Sequence, residues 1–151
     1  MADFQDAEGR IWTLRINIAG AKRVRDRVGE HIMEPMAAED DEIPLSARLV
    51  EDNILLADML CALLQPQMKD KGVDRGDLEA ALDGEALDGA RTALFTEIRA
   101  DLEARGRTDA LRALDRQDEV MDALMDRATE RVENMTVETI IERAEARDGR
   151  E

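Results

Sequence analysis

The sequence predicts a mainly α fold: a helical domain with a short N-terminal β-hairpin and a long C-terminal amphipathic helix. Three observations predict it. Only 2% of the 151 residues are aromatic, so the core must be built from Leu, Ile, Val, Ala and the eight Met. Such a core suits helices packed on helices. Over most of the chain the apolar residues recur at three- and four-residue spacing, the period of an amphipathic helix. The exception is "RIWTLRINI" at 10–18, where apolar and polar residues alternate as they do in a strand.

The hairpin comes first. The alternation places Trp12, Leu14, Ile16 and Ile18 on one face of a strand. "DAEG" at 6–9 reads as the turn, with Gly9 free to take a positive φ, and Phe4 and Gln5 supply the short partner strand. A lone hairpin is marginal in water. The Trp12 row must therefore pack on helices or pair with a strand from another molecule. From Ala19 to Val28 the pattern turns helical, with Ala21, Val24 and Val28 inward and Lys22, Arg23, Arg25 and Arg27 outward, and Gly29 is a stop. Residues 30–44 hold two Pro and the acidic run 39–42, and read as a loop.

Helix signals resume at Leu45, with Ser46 as a candidate cap. "DNILLADMLCALL" at 52–64 is apolar around much of its circumference, as a central buried helix would be, and Pro66 is expected to end it. "KDKGVD" at 69–74 is a turn and "RGDLEAAL" at 75–82 a short helix. A longer helix at 83–105 carries the stripe Leu87, Ala90, Leu94, Ile98, Leu102 and stops at Gly106. The last long helix, 108–134, places Leu111, Leu114, Met121, Met125, Ala128, Val132 and Met135 at coiled-coil spacing, interrupted by Asp118 and widened by Leu124. The apolar phase slips after Met135, which predicts a break near Thr136, a short final helix and a frayed tail. The chain thus divides at 1–105, hairpin plus helical domain, and 106–151, a C-terminal helix and tail that can pack on the same core.

Charge narrows the partners. With 21 Lys and Arg against 36 Asp and Glu, the net charge is −15, which disfavours nucleic acid and an anionic membrane surface. Residues 1–27 nevertheless carry +2, leaving −17 for the remainder. The basic helix is either an ordinary solvated face or a docking surface for an acidic partner. No stretch approaches the roughly 20 apolar residues that span a bilayer. No secretory leader is visible, and the chain is expected to be cytoplasmic.

Chemistry finds little to use. His31 is the only histidine and Cys61 the only cysteine, so neither a structural zinc set nor a nucleophile–base pair has a local signature. Cys61 sits in an apolar run and reads as a small hydrophobe. Aligning Gly84 or Gly89 with the glycine of a calcium-binding loop puts non-ligands at its required positions. The expectation is a non-enzymatic protein without a cofactor. The candidate protein-binding residues are Trp12 and Leu14 on the hairpin, Lys22, Arg23 and Arg25 on the basic helix, and Met121, Met125 and Val132 on the last helix. The Met-bearing stripe is either core or an adaptable partner or self-packing surface.

The stretch "FQDAEGRIWTLRINIAGAKRVRDRVG" resembles the N-terminus of small phage and prophage proteins of the tail-assembly-chaperone type. In these, a Trp-bearing strand leads into a helix with a basic Lys-Arg-Val-Arg core. The resemblance continues through "LLADMLCALLQPQ", "KGVDRGDLEAAL" and "LDGARTALFTEI", and covers roughly residues 4–100. It implies a non-enzymatic helical protein that holds the tape-measure protein soluble and helps recruit tail-tube subunits. A structural connector or tail-completion subunit, forming a homo-oligomer, is the alternative.

Overall fold

The computed structural model describes the backbone of residues 1–39 and 41–148, and the side chains of 1–39 and 41–132. The order is β1 (Ala2–Gln5), β2 (Ile11–Leu14), α1 (Ile18–Val28), α2 (Leu45–Glu51), α3 (Asn53–Lys71), α4 (Arg75–Ala80), α5 (Gly84–Ala104) and α6 (Thr108–Asp148). The chain is mainly α, as expected, with a two-stranded antiparallel hairpin in front. It forms two units, Met1–Leu114 and Asp115–Glu151.

In the first unit, strands β1 and β2 pair with Phe4 opposite Trp12 and Ala2 opposite Leu14. These residues point to the core. The turn between them is closed by Asp6 N–H to Arg10 C=O at 3.0 Å and by Gly9, whose φ of 82° suits a residue without Cβ. The apolar residues of α3 are buried nearly all round, with Leu56, Met59, Leu60, Cys61, Leu63 and Leu64 in one core with Leu94, Ile98 and Leu102 of α5. That is the central helix expected from "NILLADMLCALL". Ala110 and Leu114, in the first turns of α6, complete this core.

Four expectations need correction. The strand expected over 10–18 stops at Leu14. The Asn17 side chain accepts from the Gly20 N–H at 2.8 Å and starts α1 at Ile18, which is therefore 62% exposed rather than on the Trp12 face. Ser46 is not a cap. It lies inside α2, buried, with its backbone N–H on Pro35 C=O at 3.0 Å, and Pro44 occupies the cap position. Pro66 does not end the central helix, which runs on to Lys71 and stops at Gly72 in the left-handed region. No break occurs near Thr136, because α6 continues to Asp148. The segment 108–148 contains neither Gly nor Pro, so a slipped apolar phase changes which face is apolar without ending the helix. The frayed tail at 146–151 falls largely outside the described residues.

The persistence of α3 through Pro66 has a specific cause. Proline lacks the N–H that would bond the carbonyl four residues back, here that of Ala62. Arg23 of α1 supplies the missing donor: its Nε bonds Ala62 C=O at 2.8 Å and a terminal nitrogen bonds Leu63 C=O at 3.1 Å. The approach that allows this is set one turn earlier. Gly20 is buried, and a Cβ there would lie 3.1 Å from the Leu63 side chain.

Candidate functional site

Trp12 is fully buried, and so is Leu14. The indole N–H donates to Asp6 Oδ2 at 2.9 Å, and the Lys71 ammonium lies 5.5 Å from the ring centroid. Asp6, itself only 4% exposed, gathers three further donors. The N–H groups of Glu8 and Arg10 reach Oδ1 at 3.0 and 2.9 Å, and Arg10 Nε reaches Oδ2 at 2.7 Å. Burial alone would raise the Asp6 pKa. The Trp12 and Arg10 hydrogen bonds and the Arg10 charge outweigh it and hold the carboxylate below its usual range. Trp12 is thus the anchor of the turn and of the core, the first of the two roles its sequence left open.

The edge of β2 is also closed at its centre. The Gln67 side chain of α3 accepts from Thr13 N–H at 3.0 Å and donates to Thr13 C=O at 2.6 Å, as a neighbouring strand would. The sequence carries no signal for this pairing, since the partners lie on different elements far apart in the chain.

The basic helix separates into two kinds of residue. Arg23 is spent on the carbonyls of α3, a structural use that its outward position in the helical pattern concealed. Lys22 and Arg25 remain on the surface, Arg25 beside Asp26 at 3.2 Å. Both border a shallow cleft of about 230 Å³ that also meets His31 and Glu34.

The stripe on α6 divides along its length. Leu114 is buried and Leu111 half-buried, packed on the core of the first unit. In the second unit Met121 is half-buried, whereas Val120, Leu124, Met125 and Val132 are 57%, 53%, 66% and 63% exposed. At about 100° per residue these positions, with Met121 and Ala128, fall within an arc of roughly 140°. They form one apolar face on an otherwise charged helix. Met135 falls among the residues whose side chains are not described.

Among the described residues no group of three or more His, Cys, Asp or Glu side chains is placed to hold a metal. Burial pushes the Cys61 thiol up to about 11, so it carries almost no thiolate near neutrality. No described helix is long and apolar enough to cross a membrane. No family model, curated protein or solved structure matches the chain.

Proposed function

We propose that this chain is a non-enzymatic protein-binding assembly factor that works through the apolar face of α6. The reading rests on one observation: four large apolar side chains, Val120, Leu124, Met125 and Val132, stand more than half exposed on one arc of a charged helix. An amphipathic helix with a bare apolar face matches helix-in-groove or helix-on-helix recognition. Met125 adds an unbranched, adaptable contact suited to more than one partner segment.

The resemblance over residues 4–100 supplies the class of partner. A chain of tail-assembly-chaperone type would hold the tape-measure protein, a long and largely helical chain, before tail-tube subunits cover it. The surrounding acidic residues keep such a complex soluble. The test is co-expression with the tape-measure protein of the same phage or prophage. The expected result is that the tape-measure chain stays in the soluble fraction with the wild type and precipitates with a Leu124→Lys, Met125→Lys variant. Light scattering showing instead a stable homo-oligomer, with no effect on tape-measure solubility, would favour a connector or tail-completion subunit.

A further inference from the structure

The hairpin has a second edge, and it is not closed as the first is. In an antiparallel pair, residues alternate between those that bond the partner strand and those that face away. Asp6 bonds Arg10 across the turn, so in the register that follows Phe4 and Ala2 face β2, while Asp3 and Gln5 direct their backbone groups outward. Thr13, opposite Asp3, obeys the same rule on the other side, where Gln67 caps it. Among the described residues, no hydrogen bond reaches the backbone N–H or C=O of Asp3 or Gln5 from outside the hairpin.

A groove of about 550 Å³ runs along this edge. One wall is the unbroken run Asp3–Ala7, which follows β1 and the start of the turn. The other wall is the start of α5, with Asp83, Glu85, Ala86 and Gly89. Among the described residues, four carboxylates line the groove and no basic side chain does. Arg10 neutralises Asp6. Asp83 occupies the N-cap position of α5, yet its side chain makes no capping hydrogen bond. The carboxylates of Asp3, Asp83 and Glu85 are therefore left to face whatever enters. Gly89 lies where a Cβ would have nothing within 4 Å, so the wall there is open.

We propose that β1 accepts an extended, basic peptide segment as a third strand in this groove. Backbone pairing to Asp3 and Gln5 gives the register, and Lys or Arg side chains on the α5 side of the segment meet Asp83 and Glu85. This surface lies in the first unit, distinct from the α6 face, and does not depend on the function proposed above.

The test uses the full chain and a fluorescent peptide of alternating Lys and Val, with its Glu–Val counterpart as the charge control. Amide resonances of Asp3 and Gln5 report the pairing. The expected result is saturable binding of the Lys–Val peptide only, with those two amides shifted and protected. Gly89→Leu places a side chain in the groove from a helical position with free space around it, and is expected to abolish binding while leaving the melting temperature unchanged or raised. Asp83→Asn with Glu85→Gln is expected to weaken binding about fivefold. N-methylation of every Val, or of every Lys, is expected to abolish binding in one of the two cases, because only one set of N–H groups faces β1. Equal binding by both N-methylated peptides, binding retained by Gly89→Leu, or no saturable binding by the wild type would each overturn the proposal. So would protection of Asp3 and Gln5 in a dimer without peptide, since the occupant would then be a second copy.

Discussion

Arg23→Ala tests whether a side chain from α1 carries the helix past Pro66. The substitution removes a guanidinium that donates to Ala62 C=O at 2.8 Å and Leu63 C=O at 3.1 Å. The Leu63 carbonyl retains the N–H of Gln67, its ordinary partner in an α-helix, so its loss is small. The Ala62 carbonyl has no ordinary helical partner to fall back on, because the residue four along is Pro66. A buried carbonyl left without a donor costs about 1–3 kcal/mol, and a charged donor sits at the upper part of that range. Arg23 is only half-buried, which brings the expectation to about 2 kcal/mol. For a chain of this size that is roughly a 4–8 °C fall in Tm. In a Pro66→Ala background the helix supplies its own N–H to Ala62, and the same Arg23→Ala change should cost about 1 kcal/mol or less. The double-mutant cycle, measured by urea unfolding followed by circular dichroism, should give a coupling of at least about 1 kcal/mol. An equal cost in both backgrounds would refute the reasoning and make Arg23 an ordinary packing residue.

Three further outcomes follow from the same structure. Trp12→Phe keeps most of the ring but removes the donor to Asp6, and should destabilise by about 1–3 kcal/mol in denaturant melts, short of the roughly 3–5 kcal/mol expected of Trp12→Ala; a neutral Trp12→Phe would show that the Asp6 bond contributes nothing. Asp6 has a lowered pKa in the folded state, so the stability it adds is fully present above the ordinary value of 3.8 and is lost as pH falls through the folded value. Asp6→Asn should therefore melt below the wild type at pH 7, with the gap closing progressively under acid conditions; a gap unchanged by pH would contradict the assignment. Cys61, with its thiol pushed up to about 11 by burial, should resist iodoacetamide at pH 8 in the native protein and react at once in denaturant, as followed by mass spectrometry.

Much of the fold was legible because its signals are local. The alternation around Trp12, the all-round apolarity of α3 and the glycine stops at Gly29 and Gly106 can each be read within one or two turns of chain. The errors came where a distant residue or an overextended local pattern decided the outcome. Pro66 reads as a terminator until Arg23, on another helix, replaces its lost hydrogen bond. The alternating row ran on to Ile18 although Asn17, a capping residue, marks where helix takes over from strand. The candidate site residues separated for the same reason. Trp12 and Leu14 are inside, one of the two uses their alternation left open, and Arg23 serves α3, a use that no spacing reveals. Lys22, Arg25, Met125 and Val132 stand at the surface and Met121 half-way. Gln67, which closes the β2 edge, carried no sequence signal beyond polarity, and Asp6 was legible only as the first residue of the turn.

The most direct test of the central claim is a quantitative pull-down from the source cell, comparing the tagged wild type with a Val120→Lys, Leu124→Lys variant of matched melting temperature. Both positions are more than half exposed, so the fold should tolerate the change. The account predicts that tape-measure-like or tail-tube chains are recovered with the wild type and fall at least tenfold with the variant. Equal recovery by the two proteins would contradict it, as would a wild type that captures only copies of itself.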